Sequence, residues 1–353
     1  TTLAYDSLGN LVQRTDANGD VTQYAYDTRN RVTGITYAGQ APISLSYDPV
    51  GNLLQMSDAL GTTTHTYDAA NRRTSTTDPF GRTVGYGYDA SGNRTRLVYP
   101  GSNTVTYGFD AANRLSTVTD WLGQVTEYSY DGAGRIIGVA NANGTAATYS
   151  FDEGGRLTAL ANTLPGGAVL SSYGYSLDPI GNPLVEERTE PLAPLIPTGN
   201  LSNTHDAENR LLQSGAVANS FDANGNLIQK DADSYVFDTA DRLVQTTIDG
   251  VVTAYQYDGM GNRYARTRDG VTTRYVLDTN TALTNVLMET SATGQVQAYN
   301  IYGLGLIARL DANDSARFLH YDPRGSAIAL TDDGATITDQ YAYDPFGQLA
   351  NRT

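Results

Sequence analysis

The sequence predicts an all-β protein, a tandem antiparallel meander of short strands forming a long curved or spiralling β-ribbon that is a shell or part of one. Three observations carry that expectation. An aromatic residue followed by Asp recurs at Tyr5, Tyr26, Tyr47, Tyr67, Tyr88, Phe109, Tyr130, Phe151, Phe221, Phe237, Tyr257, Tyr321 and Tyr343, and the first eight copies are 20 or 21 residues apart. The apolar material is tyrosine-heavy, with 25 Tyr against seven Phe and one Trp, and 36 Gly accompany it, a composition that favours strands and tight turns. Helical periodicity is absent, whereas residues 21–26, 105–109 and 125–130 place aromatics at alternate positions.

A register kept over so many copies makes the repeat the first thing to interpret. Its Asp opens a turn by accepting backbone N–H bonds, and three residues later Gly9, Asn30, Gly51, Asn71, Gly92, Asn113, Gly134 and Gly155 stand where a left-handed backbone is needed. A second turn falls half a period on, at residues 16–20, 58–62, 78–82, 120–124 and 141–145, with Gly39 and Gly101 in the remaining copies. Two turns in 21 residues leave two short strands. One carries a second aromatic two residues before the first, at Tyr24, Tyr86, Tyr107, Tyr128, Tyr149, Tyr175, Tyr235, Tyr255, Tyr275 and Tyr341, so that stacked copies build tyrosine rows. The other strand, as in residues 115–119 or 157–161, alternates less cleanly. Each copy then rests on its neighbours rather than on a central core. Roughly 30 strands at ~4.8 Å each give a ribbon on the order of 140 Å, which right-handed twist must curl.

Bulk properties narrow the function classes. At 353 residues the chain is long for one compact core but ordinary for an elongated repeat. It has no cysteine, hence no disulfide and no thiolate metal site. A net charge of −15 repels phosphate backbones and anionic lipid, which argues against a nucleic-acid partner. No apolar run approaches the ~20 residues of a membrane span, and residues 1–10 lack the pattern of a signal peptide. The sequence starts and stops within its own pattern, which suggests a piece of a longer polypeptide.

The expected organisation is one continuous sheet in four stretches. Residues 1–165 are regular repeats, and 166–205 are an irregular, proline-containing insertion or seam, since 183–204 hold four of the twelve prolines. Residues 206–273 are degenerate repeats. Residues 274–353 drift to a longer period through "YNIYGLGLIA", "HYDPRGSAIALTD" and "YAYDPFGQL".

The aromatic–Asp copies resemble the YD-repeat or Rhs-repeat family, and the three segments just quoted resemble the opening of the Rhs-associated core that follows such repeats. The resemblance implies a β-ribbon wound into a hollow shell around a polypeptide, as in Rhs polymorphic toxins, toxin-complex subunits, wall-associated proteins and teneurins. It implies a secreted or cell-surface setting. The self-cleaving element of the toxin branches has no counterpart here, so no residue inherits a catalytic role.

Each candidate chemical site has a structural reading that outweighs it. Asp178–Asn182 and Asp344–Leu349 echo the cleavage element but sit at repeat turns. Asp16, Asn18 and Asp20 have the oxygen alternation of a calcium loop, yet Val21 stands where its glycine belongs and Asp27 where its bidentate Glu belongs; Asp311, Asn313 and Asp314 are discounted likewise. His65, His205 and His320 lack metal-ligand spacing and read as packed side chains. Exposed tyrosine rows could stack on sugars, though cohesion of the sheet is the favoured role. The expectation is a non-enzymatic shell segment with no catalytic residue, cofactor or metal, enclosing a polypeptide cargo or the remainder of its own polypeptide. The alternative is an adhesion or filament-forming module that self-associates or binds glycan.

Overall fold

A computed structural model describes residues 1–193, 202–344 and 347–353. Among the described residues the regular structure is entirely strand, in 34 segments from Thr2–Tyr5 to Leu349–Arg352. Successive strands pair antiparallel, in an 18-stranded sheet ending at Pro183–Thr189 and a 16-stranded sheet beginning at Asn203–His205. Among the described residues the strands therefore fall in two sheets rather than the one expected.

The repeat of Val125–Tyr130 and Ile136–Ala140 shows how sequence becomes hairpin. Asp131 N–H donates to Arg135 O at 3.0 Å, and Gly134 N–H donates to Asp131 O at 3.0 Å. Asp131 Oδ1 accepts the amides of Ala133 and Arg135, both at 2.9 Å. Gly134 has φ 85°, and in alternate copies Asn serves, as Asn113 does at φ 58°. These two residue types tolerate the left-handed step that closes the turn. The half-period turn uses the same device: Asp16 Oδ1 accepts Asp20 N–H at 2.9 Å, and Asp78 Oδ1 accepts the amides of Phe80 and Arg82 at 2.9 Å.

A β-bulge accompanies the aromatic–Asp turns wherever the register of the paired strands is described, as at Tyr26, Tyr67, Phe109, Tyr130, Phe151, Tyr257 and Tyr321. Ser129 pairs with Gly138 and Tyr130 with Ile136, leaving Ile137 without an opposite residue. The same shift leaves Thr33, Thr74, Ser116, Thr158, Tyr264 and Ile328 unopposed in other copies. An extra residue reverses the in–out alternation beyond it. That is why the second strand of each repeat alternates poorly in sequence.

The aromatic tyrosine bridges to the preceding repeat. Tyr26 Oη donates to Leu11 O at 2.8 Å, Tyr130 to Leu115 O at 2.7 Å, Tyr257 to Leu243 O at 2.8 Å and Tyr321 to Leu306 O at 2.7 Å. In the first of these, the pairing of the Leu11–Thr15 strand with the next strand ends at Gln13 and Gln23, so the Leu11 carbonyl lies past the end of the ladder and the hydroxyl fills the gap.

Within 166–205 the expected irregularity is corrected. Val169–Leu177 and Pro183–Thr189 are strands paired antiparallel with Leu157–Thr163 and with each other, each pairing with one bulge as in other repeats, and they close on the same Asp178–Asn182 turn. The prolines of this stretch sit at strand starts or outside strands, or fall in 194–201, outside the described residues.

The strands gather into two units, Thr1–Gly85 with Gly199–Val296, and Tyr86–Thr198 with Gln297–Thr353. Each combines a stretch of the first sheet with a stretch of the second. In the first unit, Leu60 and Phe80 pack against a buried cluster of Tyr264, Tyr275 and Leu277, and a second cluster joins Ile43, Leu45 and Met56. In the second unit, Leu160 and Tyr173 pack with Ile328. A close approach there needs glycine: a Cβ on Gly303 would collide with the Tyr128 hydroxyl. The expectation that copies rest only on sequence neighbours is thus incomplete.

If the inter-repeat hydroxyl bond holds neighbouring copies, Tyr130→Phe lowers stability by about 1 kcal/mol. Thermal or denaturant unfolding measures it, and an unchanged midpoint would count against the role assigned to the hydroxyl.

Candidate functional site

The turn edge of the repeats is the most developed polar arrangement in the molecule. Residue five of each turn reaches back to the turn's Asp and onward to the next repeat. Arg114 Nε donates to Asp110 Oδ2 at 2.7 Å, Nη1 donates to Asp131 O at 3.3 Å, and the guanidinium lies 4.5 Å from the centre of the Tyr130 ring. Arg135 repeats the pattern with Asp131 at 2.6 Å, Asp152 O at 3.3 Å and the Phe151 ring at 4.7 Å. Arg156 continues to Asp178 O at 2.9 Å. Where residue five is Asn, a weaker version appears: Asn52 Nδ2 donates to Asp48 Oδ2 at 2.7 Å and to Asn71 Oδ1 at 2.9 Å. The result is a chain of turns linked by charge-assisted bonds.

These contacts explain the ionisation of the turn acids. The Asp131 carboxyl lies below its ordinary pKa first through the Arg135 amide and then, against some desolvation, through the Arg135 side chain. Asp110 and Asp152 follow suit with Arg114 and Arg156. Asp258 and Asp120 go the other way. Burial raises both, against the backbone and side-chain bonds they accept, and neighbouring Asp58 for the former and Asp314 and Asp333 for the latter add to the rise.

The candidate residues of the sequence take structural places. Asp178 Oδ1 accepts the Ile180 and Asn182 amides and its Oδ2 accepts Asn182 Nδ2, so both oxygens serve the turn. Asp344 Oδ1 accepts the Gln348 amide; Pro345 and Phe346 of that motif lie outside the described residues. Asp16, Asn18 and Asp311 spend oxygens on backbone amides, and among the described residues no group of three or more His, Asp or Glu could hold a metal ion.

His65 and His320 are buried. His65 Nδ1 is 3.0 Å from Thr76 Oγ1 and His320 Nε2 is 2.9 Å from Thr331 Oγ1. Burial, helped at His65 by Arg73, pulls both pKa values down to about 4. Each pair superficially resembles a nucleophile and its base. Yet Thr76 and Thr331 are buried, and Thr331 Oγ1 also accepts Asn143 Nδ2 at 2.9 Å, so neither hydroxyl is presented to a substrate. His205 is a correction: it is exposed on Asn203–His205 and is not a packed side chain. In the second unit a cavity of about 190 Å³ opens beside His320, lined also by Tyr128, Tyr149 and Asn162.

Part of the tyrosine rows is packed within the protein. Tyr86 and Tyr107 are buried, and Arg94 lies 6.0 and 5.5 Å from their ring centres. Tyr99 and Tyr299 close edge-on around Trp121, at 5.4 and 5.0 Å. Trp121 was not singled out in the sequence, and its being the sole tryptophan was the one available signal.

Turns, bulges and inter-repeat bonds of this kind define a repeat-built structural shell protein. The chain belongs to the Teneurin YD-shell family, whose pattern matches residues 1–121 and 197–353. The RHS Repeat pattern also matches, at 109–146 and 130–169. The tRNA3(Ser)-specific nuclease WapA of Bacillus spizizenii is 35% identical over 94 residues, 26% of this chain and 4% of the relative. The tRNA nuclease WapA of Bacillus subtilis strain 168 is 34% identical over 94 residues, with the same shares. The matched region is therefore a small fraction of those relatives' length. The fold matches the crystal structure of TcdB2-TccC3-TEV with a TM-score of 0.69 at 14% identity, over 99% of this chain and 24% of that one. A Photorhabdus luminescens Tc holotoxin pore matches with a TM-score of 0.54 at 14% identity, over 99% and 27%. Among the described residues no helix is long and apolar enough to cross a membrane, which says nothing of β-barrels.

The histidine environments set a pH dependence. Folded pKa values of about 4 against 6.5 unfolded mean that the unfolded chain takes up protons first. Their stabilisation is complete above pH 6.5 and is lost as pH falls towards 4. The depressed turn acids add losses only below the ordinary Asp value of 3.8, and Asp120 and Asp258 partly offset the trend. In proton-detected NMR the imidazoles of His65 and His320 stay neutral at pH 5.5; titration of both near 6.5 would contradict the burial argument.

Proposed function

We propose that the chain is a non-enzymatic wall segment of an exported YD-repeat protein, and that the wall encloses and protects a polypeptide cargo, such as a toxin carried on the same polypeptide. The observation that carries this reading is where the polar chemistry goes. Asp, Arg, Asn and Tyr side chains, which in an enzyme would converge on a substrate, are spent on holding one repeat to the next. Such a chain grows a barrier by adding copies. The likeness to TcdB2-TccC3 in fold and the WapA similarity in the repeats both fit a carrier role, with any nuclease or toxin activity residing elsewhere in a longer protein.

Adhesion or filament formation is the second reading, since Pro183–Thr189 is an edge strand exposed along its whole length. Its sequence disfavours that use. A leading proline together with Glu186, Glu187 and Arg188 are devices that blunt edge-to-edge pairing.

Limited proteolysis of the full-length protein bearing this segment tests the proposal. The region following the repeats should survive protease while the wall is intact and become cleavable once the wall is unfolded. Cleavage at the rate of the isolated region, with the wall still folded, would overturn it.

A further inference from the structure

Two turns in the first unit have the same sequence, Asp16-Ala17-Asn18-Gly19 and Asp222-Ala223-Asn224-Gly225, and they face each other. Their contacts are reciprocal. Asn224 Oδ1 accepts the amides of Ala17 at 2.9 Å and Asn18 at 3.2 Å, while Asn18 Oδ1 accepts the amide of Ala223 at 3.0 Å. Asn18 Nδ2 donates to Asp222 Oδ2 at 3.0 Å, and Asn224 Nδ2 donates to Asp16 Oδ2 at 2.9 Å. Each asparagine thus presents its carbonyl to the other turn's backbone and its amide to the other turn's leading carboxylate.

The neighbouring sequence explains why the exchange is available. In an aromatic–Asp turn, residue five is usually Arg or Asn and occupies the second carboxylate oxygen. In the first of these two turns residue five is Asp20, which has no side-chain hydrogen to give, so Asp16 Oδ2 is left for a donor from outside. Asp16 is nonetheless buried, and an uncompensated carboxylate there would be costly. The flanking turns of the second sheet could not substitute. Asp206–Arg210 carries Glu208 at the third position and Asp238–Arg242 carries Ala240, and neither side chain has both an acceptor and a donor.

We propose that the Asp-Ala-Asn-Gly turn is a self-recognising latch: it binds a second copy of itself, and Asn18 with Asn224 sets which turn of the second sheet docks on which turn of the first. A slip by one repeat sets Asn18 against Glu208 or Ala240 and forfeits the whole exchange. The latch selects one register between segments 206 residues apart. It operates whether or not the wall carries cargo.

Amide hydrogen exchange on the intact chain reads the latch site by site. Asn224→Ala should speed exchange at Ala17 and Asn18 roughly five- to tenfold, and Asn18→Ala should do the same at Ala223, with the double substitution adding little to either single one. Asn313→Ala, in an Asp-Ala-Asn turn whose Asn313 side chain makes no cross-sheet bond among the described residues, should leave those three amides unchanged. Asn18→Asp sets a carboxylate against Asp222; if it prevents folding, adding Asp222→Asn restores a donor–acceptor pair and should restore the folded chain. Unchanged exchange at Ala17, Asn18 and Ala223, additive single effects, or no rescue by the swap would each overturn the proposal.

Discussion

The aromatic–Asp turns that set the repeat depend on a carboxylate oxygen accepting backbone amides of its own turn. Asp131 does so for Ala133 and Arg135, and its equivalents do so at both edges of the ribbon. A hairpin closed this way has a fixed length, a fixed left-handed residue and a fixed exit. With the exit set, the following bulge and the partner of every strand residue are set too. The second carboxylate oxygen is then free to bind residue five, and residue five is placed to reach the next repeat.

Cohesion of a repeat array comes from terms of two ranges. The near ones join consecutive copies: the arginine spine, the tyrosine hydroxyl and the strand ladder. They suit a chain of net charge −15, because arginines such as Arg114 and Arg135 meet a turn carboxylate and an aromatic ring at once. The far ones act inside each unit, between stretches of the two sheets. Tyr99 Oη donates to Asn300 O at 2.7 Å from a fully buried position, and Gly259 N–H donates to Asp58 Oδ2 at 2.6 Å. These far contacts bury Asp258 and Asp120, which raises both, and bring Asp58 towards the former and Asp314 and Asp333 towards the latter, which adds to the rise.

What the sequence disclosed follows this division of range. The turns were legible to the residue, because Asp, Gly and Asn act within five positions and need no partner elsewhere. Strand type was legible from β-branched and aromatic content. The bulge was not: one unopposed residue, such as Ile137, mixes two alternations into a pattern that resembles noise. The strand Pro183–Thr189 was hidden by prolines, one of which turns out to be its first residue. The docking of turn on turn was also hidden: Asp20 leaves Asp16 Oδ2 open to an outside donor, but the local sequence does not say which turn, 206 residues away, supplies it. For the site the outcome is similar. His65 and His320 were readable as packing, whereas the exposure of His205 depends on a strand with little above it.

Membership of the teneurin YD-shell family gives the repeat its context, and the physics above gives the reason such a repeat can be extended. The central claim is that each copy is held by its immediate neighbours through the turn carboxylate. Hydrogen exchange mapped over every strand of an Asp152→Ala variant tests it most directly. The account predicts faster exchange in the 152–156 turn and in the adjoining Ala146–Phe151 and Leu157–Thr163 strands, with Val32–Tyr37 unaffected. Equal acceleration in all strands, or none in the two that adjoin the turn, would contradict it.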